Sequence, residues 1–202
     1  HLLKALAGLL RREGEIYFGE ETILKLIPER RAKILSWLDQ SPTYSFNYSV
    51  LESVMMGRFA YHQGFPQTED ARIVTEELEF WGLCEKQKRP LNTLSQGELQ
   101  KVYLARTLVA GNPLLLFDEP DNFLDIKTKI QMFSRLKDIC RQGRTIVSIF
   151  HNINDVNCNA DSMILLKNGK IQHFGLKSST MTEQNLSKLF DVKAVIEKSA
   201  TT

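Results

Sequence analysis

Two adjacent carboxylates directly follow a run of apolar residues near the middle of the chain. Leu114–Pro120 reads LLLFDEP, so Asp118 and Glu119 stand where a fully buried strand would end. Such a pair is costly, because burial disfavours the ionised form and the two carboxylates repel each other. One carboxylate can hold a hydrated Mg²⁺ ion, and the next can orient or deprotonate an attacking water. The pair therefore predicts a cation and a substrate at this strand end.

Two further polar residues stand at the ends of predicted strands. Gln40 follows a strand within Arg31–Leu38, and His151 follows the apolar segment Thr145–Phe150. A histidine at that place can donate to a phosphoryl oxygen as charge builds, and a glutamine can bridge water and metal without adding charge. Ligands of parallel sheets bind beyond the carboxyl ends of the strands, so we expect these residues and the carboxylate pair to share one crevice. The group has the parts of a phosphoryl-transfer site.

Each of these residues also has a purely structural interpretation. The acidic pair can be an exposed junction between a strand and a turn, and His151 can be a core histidine with its hydrogen bonds satisfied. Gln40 alone says almost nothing about function. The order and spacing of the residues favour the functional interpretation.

The elements that must position these groups alternate between strand and helix. Strands are predicted within residues 14–19, 31–38, 114–117 and 145–150, and a helix ending near Ala110 precedes the third of them. This alternation is typical of an α/β protein with a parallel sheet. Further along the chain, Asn168-Gly169 is a strong signal for a type I′ turn and predicts a β-hairpin. A last helix is predicted after Thr182, which would cap its first turn.

The segment between Ser41 and Asn92 carries helical patterns and no strong strand signal. One predicted helix stops at Gly57, and another begins at a Thr68 cap and runs to Gly82. We interpret this stretch as a helical insertion in the α/β core.

A helix start of a distinctive kind lies just after this insertion. Ser95 and Glu98 have the spacing of a capping box, in which a serine hydroxyl and a glutamate three residues later satisfy the free amides of the first turn. Capping is the default role of both residues. A helix N-terminus also offers free amides and partial positive charge to an anion.

Composition narrows the class of protein. Among 202 residues, 26 basic and 24 acidic side chains give a net charge of +2, so no strong field favours nucleic acid. The 3 cysteines have no CxxC spacing, which argues against a disulfide framework and a zinc site and favours a reducing compartment. No apolar run approaches the ~20 residues that span a bilayer.

Taken together, the motifs resemble those of the ATP-binding-cassette (ABC) ATPases, in the same order and over nearly the whole chain. LSQGE (Leu94–Glu98) is similar to the LSGGQ signature, LLLFDEP to the Walker B strand, DNFLD (Asp121–Asp125) to the D-loop, His151 to the switch histidine and Gln40 to the Q-loop glutamine. The resemblance implies an α/β fold of the P-loop NTPase type. Residues 1–40 and 107–202 would form its RecA-like parallel-sheet core, and residues 41–106 a helical signature subdomain.

The resemblance also implies a role for each residue. Asp118 would support Mg²⁺, Glu119 would polarise the hydrolytic water, and His151 would contact the γ-phosphate of ATP. Gln40 would sense Mg²⁺ and water and would connect to the membrane partner, and Asp125 would lie at a dimer interface.

In this family the signature completes an active site in a second subunit. Ser95 and Gly97 would present a hydroxyl and bare backbone to the phosphate of that subunit's ATP, with Glu98 and Asp125 beside them. The resemblance therefore implies a head-to-tail homodimer.

Several positions depart from the family pattern. The sequence has no Walker A loop, because its one Gly-Lys pair, Gly169-Lys170, lies in the predicted hairpin. We expect that the chain starts partway through an element at His1 and that a polypeptide of this sequence binds ATP weakly at best. Gln96 replaces the first glycine of the signature, Glu98 its glutamine, and Asn152 a common aspartate.

Other segments resemble the ATPase subunits of importers for iron–siderophore complexes, haem and vitamin B12. They are SVLESVMMGRFAY, TEDARIVTEELEFWGL and TEQNLSKLFDV. Such subunits bind transmembrane permease subunits at the cytoplasmic face of the membrane, and a substrate-binding protein is only an indirect partner. Two alternatives stay open: a soluble ABC ATPase without a permease, and a truncated remnant without enzymatic activity.

Overall fold

The computed structural model of the protein describes residues 2–10, 13–40, 47–62 and 64–197. The chain divides into two compact units, His1–Ile149 and Phe150–Thr202. The predicted positions His1 and Ser41 and the end of the C-terminal tail lie outside the described residues.

The first unit contains five strands and seven α-helices among its described residues. In chain order they are α1 (Leu2–Leu6), β1 (Tyr17–Phe18), β2 (Glu21–Thr22), α2 (Pro28–Arg31), β3 (Leu35–Leu38), α3 (Val50–Met55), α4 (Phe59–His62), α5 (Thr68–Phe80), α6 (Gln96–Val109), β4 (Leu114–Asp118), α7 (Ile126–Arg141) and β5 (Thr145–Ile149). Short 3₁₀ turns occupy Ile23–Lys25, Met56–Arg58, Cys84–Lys86 and Leu91–Thr93.

A parallel sheet of order β3-β4-β5 lies at the centre of the first unit. Its middle strand β4 is the predicted apolar run, and Leu115, Leu116 and Phe117 are at most 1% exposed. A strand covered on both faces reads as a continuous apolar segment, which explains why the sequence identifies it. Helix α1 packs on this strand through Leu3. The predicted α/β class with a parallel sheet is confirmed.

Helices α3, α5 and α6 pack against one another in the segment between β3 and β4. Helix α6 starts with the predicted capping box, since Ser95 Oγ accepts from the Glu98 N–H and the Ser95 N–H donates to Glu98 Oε2. Gly57 allows the 3₁₀ turn to approach α6 closely, because a Cβ there would lie 2.1 Å from the Arg106 carbonyl oxygen. The packing is consistent with a helical insertion, whose boundaries at 41 and 106 stay a prediction.

The second unit contains two strands and three helices among its described residues. They are α8 (Ile153–Asn159), β6 (Ser162–Lys167), β7 (Lys170–Leu176), α9 (Lys177–Thr180) and α10 (Glu183–Phe190). Strands β6 and β7 form the predicted hairpin, in which Asn168 and Gly169 both have positive φ as a type I′ turn requires. Thr182 caps α10 as predicted, by accepting from the Asn185 N–H.

Two local expectations were wrong. Gln67, and not Thr68, precedes the first residue of α5, and its N–H donates to Asp70 Oδ2 at 3.0 Å. Helical spacing predicts one apolar side of α7, formed by Ile126, Ile130, Phe133, Leu136 and Cys140. Phe133 and Leu136 are buried as this pattern predicts, whereas Ile126 and Ile130 are 81% and 65% exposed and Cys140 is exposed as well. Met132 and Ile139 join Phe133 and Leu136 on the buried side, so the buried face of α7 overlaps the predicted one only in part.

Candidate active site

The end of strand β4 places the two carboxylates of the DEP motif. Asp118 is the last residue of β4 and is partly buried. Glu119 leaves the strand with a φ of +52°, and its N–H donates to the Ile149 carbonyl at 3.2 Å. The β4–β5 pairing therefore extends to the first residue of the turn and fixes where the glutamate begins.

Two neutral amides hold the Glu119 carboxylate. Gln40 Nε2 donates to its Oε2 at 2.7 Å, and Asn122 Nδ2 donates to the same oxygen at 2.8 Å. Gln40 follows β3, the strand that pairs with β4, so the parallel sheet brings it to this place. Because the donors are uncharged, they orient the carboxylate without cancelling its negative charge. That combination suits a group that polarises a water molecule.

Asp118 carries a charge that its surroundings do not favour. Burial raises the pKa of its carboxyl above the usual value, and the negative charges of Glu119 and Asp39 act in the same direction. The ammonium group of Lys4 lies 3.2 Å from an Asp39 carboxylate oxygen and offsets part of the negative charge. A concentration of carboxylates at one strand end is a suitable environment for a divalent cation.

The donor set fits magnesium. Asp118 supplies a carboxylate oxygen, and Gln40 lies beside the same strand end. Across the described ranges, no group of three or more His, Cys, Asp or Glu side chains is placed to hold a metal. Mg²⁺ is commonly bound by one or two carboxylates together with substrate phosphates rather than by a cage of protein ligands.

The first turn of α6 forms a second polar surface. Besides capping the helix, Glu98 forms an ion pair with Lys86. The hydrogen bond from Lys86, joined by that from the Ser95 N–H, lowers the pKa of Glu98 to about 2. Glu98 is therefore a carboxylate that neutralises a lysine at the helix start, where the family pattern has a neutral glutamine.

This helix start lies against the D-loop. A Cβ on Gly97 would lie 2.9 Å from the Phe123 carbonyl oxygen, so only glycine permits the observed approach. Asp125 caps α7 by accepting from the Thr128 N–H at 2.7 Å, and this bond lowers the pKa of Asp125. A cavity of about 130 Å³ opens between the two helix starts, with Ser95 in its lining.

The predicted site residues thus fall into three places. Gln40, Asp118 and Glu119 meet at the end of the parallel sheet, whereas Ser95, Gly97, Glu98 and Asp125 line the cavity. His151 is exposed and follows β5 by two residues, but it belongs to the second unit. That His151 lies close to the three residues at the sheet end stays a prediction.

Two residues that contact the turn after β4, at Glu119 and Pro120, were not predicted from the sequence. Asn122 lies three residues after Glu119, a spacing at which its side chain can return to the same turn. Gln100 is only 4% exposed, and its Nε2 donates to the Pro120 carbonyl at 2.8 Å. A signal for Gln100 was available in the sequence, because it lies one helical turn before Tyr103 and Leu104, which are buried, and should therefore face the same side of the helix.

Comparisons with known proteins identify the family of the chain. A family model described as "ABC transporter" matches residues 1–122. The iron(3+)-hydroxamate import ATP-binding protein FhuC of Bacillus subtilis is 33% identical over 199 residues, which cover 96% of this chain and 74% of that protein. The hemin import ATP-binding protein HmuV of Bradyrhizobium diazoefficiens is 30% identical, with 98% of this chain and 75% of that protein covered.

The fold of the chain is similar to that of a solved ATP-binding cassette. The solved structure is a dimeric, post-hydrolysis ATP-binding cassette bound to ADP and Pi, with a TM-score of 0.77 and 26% identity, covering 87% of this chain and 78% of that one. Among the described residues, no helix has the length and apolar character needed to cross a membrane. By its fold, its motifs and these relatives, the chain belongs to the ABC transporter family and comprises its ATPase domain.

Proposed function

We propose that the chain is the ATP-binding and hydrolysing subunit of an importer for iron–siderophore, haem or cobalamin-like metal chelates. The observation that carries the ATPase assignment is the Glu119 carboxylate, held by Gln40 and Asn122 directly beside Asp118. The cargo assignment is supported by relatives that import iron(3+)-hydroxamate and hemin. Their two cargoes differ, so the proposal extends only to the class of metal chelates.

In this proposal the side chains at the sheet end divide the work of phosphoryl transfer. Asp118 and Gln40 hold Mg²⁺, which neutralises charge on the phosphate oxygens when it is bound. Glu119 accepts a hydrogen bond from the attacking water and increases its nucleophilicity. His151 donates to the γ-phosphate as negative charge accumulates there.

The cavity at the start of α6 has a separate role. Ser95 and Gly97 contact the γ-phosphate of ATP that is bound to a second copy of the chain, and Asp125 lies at the interface between the copies. The dimeric cassette among the similar structures supports this arrangement. Transmembrane permease subunits at the cytoplasmic face of the membrane complete the importer, and a substrate-binding protein delivers the cargo.

ATP affinity should depend on residues that this sequence does not contain. The 202 residues include no G-x-x-x-x-G-K-[ST] motif, whose amides and lysine cradle the phosphates in P-loop proteins. We expect weak ATP binding by the 202-residue polypeptide and tight binding when a phosphate loop is joined before Leu2. Isothermal calorimetry on both polypeptides measures the difference, and equal affinities would contradict the expectation.

The assignment of Glu119 is tested in the version completed with a phosphate loop. Glu119→Gln should reduce Mg²⁺-dependent ATP turnover by at least about 100-fold, because the amide cannot accept the proton of the water. The ATP-bound dimer should persist, as measured by sedimentation. Glu29→Gln, at an exposed glutamate in α2, is the matched control and should leave turnover unchanged. Undiminished turnover in Glu119→Gln would refute the assigned role.

A further inference from the structure

A buried glutamine in α6 contacts the loop that carries Glu119. Gln100 is 4% exposed, and its Nε2 donates to the Pro120 carbonyl oxygen at 2.8 Å. A buried side-chain amide is costly unless it is hydrogen-bonded, so the side chain and the carbonyl constrain each other. The bond joins two segments that are 20 residues apart and is therefore a tertiary contact.

The loop of residues 119–124, which Gln100 contacts, has an unfavourable backbone conformation at two positions. Glu119 has a φ of +52° although it is not glycine, and it precedes Pro120, a position that normally favours an extended conformation. Phe123, in the same loop, has a φ of +62°. Backbone conformations of this kind are strained in residues other than glycine and persist only where the surroundings hold them.

Helix α6 holds the loop at two points. Gln100 binds the carbonyl of Pro120, directly after Glu119, and Gly97 lies against the Phe123 carbonyl, where a Cβ would be only 2.9 Å away. Between these points Asn122 donates its N–H to the Glu119 carbonyl at 3.3 Å and its side-chain amide to the carboxylate. The position of the carboxylate therefore depends on α6 as well as on the sheet.

We propose that Gln100 is a positioning residue for the hydrolytic step. Its amide fixes the Pro120 carbonyl and thereby keeps the Glu119 carboxylate within reach of Gln40 and Asn122. The proposal rests on the proposed ATPase function. It adds that the helix whose first turn meets the nucleotide of a second subunit also sets the geometry of the water-polarising glutamate in its own subunit.

The experiment uses Gln100→Met in the chain completed with a phosphate loop. Methionine keeps the length and helix propensity of glutamine and removes the donor. We expect kcat for ATP hydrolysis to fall about tenfold with KM within about twofold, since the contact acts on the chemical step. Hydrogen exchange at the amides of Asn122 and Leu124 should become faster.

The chain offers a matched control in Gln131. Its side-chain amide also donates to a backbone carbonyl, that of Phe80, and this bond joins α7 to α5 rather than to the loop that carries Glu119. Gln131→Met should lower stability similarly while kcat and the exchange of the 119–124 loop stay unchanged. Equal losses of kcat in both variants, or a kcat within twofold of the parent in Gln100→Met, would overturn the proposal.

A double-mutant cycle separates positioning from general structural damage. If Gln100 acts through Glu119, Gln100→Met should leave the residual turnover of Glu119→Gln unchanged. A further tenfold loss in the double variant would contradict the proposal. Should the completed parent fail to hydrolyse ATP, the proposed function fails instead. The exchange measurement then decides on Gln100 alone, because unchanged exchange in Gln100→Met would refute its hold on the loop.

Discussion

At the scale of single residues, the chain concentrates negative charge at the end of its parallel sheet. The ionised carboxyl of Asp118 is disfavoured by its surroundings, because burial and nearby carboxylates raise its pKa. An ionisable side chain that destabilises the folded protein and lies beside a candidate catalytic residue is typical of a functional site. Removal of the Asp118 charge should therefore change the stability of the folded protein.

Asp118→Asn should raise the melting temperature by a few degrees at neutral pH without Mg²⁺ and nucleotide. A carboxyl whose folded pKa is raised above the unfolded value of 3.8 binds its proton more tightly in the folded state. The destabilisation of the folded state by the ionised Asp118 carboxylate is therefore absent below the unfolded pKa and complete above the folded pKa. The increase in melting temperature caused by Asp118→Asn should grow as pH rises through this window.

Circular dichroism melts at several pH values between 3 and 8 measure this effect. Asp161→Asn, at an exposed aspartate just before β6, serves as the control and should show no comparable gain. A pH-independent gain in Asp118→Asn would exclude relief of the charge as its cause.

At the scale of elements, the start of α6 combines three functions in a few residues. Its capping box satisfies the first amides, its glutamate binds Lys86, and its glycine admits the D-loop backbone. The ion pair belongs to the folded state, because Lys86 lies in a separate 3₁₀ turn. Its contribution to stability therefore depends on the charge of Glu98.

Glu98→Gln should remove an acid-sensitive part of the stability of this element. Since the folded pKa of Glu98 is lowered to about 2 from 4.5, its contribution is complete above 4.5 and is lost as pH falls towards 2. The difference in free energy of unfolding between the parent and Glu98→Gln should shrink through this window. Urea titrations at pH 6, 4 and 3 measure it, with Glu29→Gln as the control for loss of an exposed charge. A constant difference across these pH values would show that the Lys86 pair is unimportant.

At the scale of the whole molecule, the proposed activity requires two copies of the chain. The cavity beside Ser95 and the Glu119 carboxylate occupy different places in the first unit, which fits a composite site that each copy completes for the other.

Ser95→Arg should prevent this completion in the version with a phosphate loop. The larger, charged side chain would fill the cavity of about 130 Å³ and exclude the phosphate of the second subunit. We expect loss of the ATP-dependent dimer in a Glu119→Gln background, with nucleotide affinity of the monomer retained. Sedimentation and calorimetry measure the two quantities, and Ser49→Arg, at the cap of α3, provides a control for placing arginine at a helix start. If monomer binding is lost together with the dimer, the assignment of the signature is wrong.

The sequence by itself determined the features that depend on neighbouring residues. The buried strand at Leu114–Phe117, the capping box at Ser95 and the Asn168-Gly169 turn are each encoded within a few positions, and all three were predicted. The order of the motifs likewise identified the family. The sequence predicted that Gln40 and the carboxylate pair share one crevice, but only the tertiary structure decided the individual contacts: Gln40 with Glu119, Gln100 with Pro120 and Gly97 with Phe123. The tertiary structure also decided which part of the predicted apolar face of α7 is buried. Spacing defines the faces of a helix or strand, but only the packing of elements far apart in the chain determines what each face contacts.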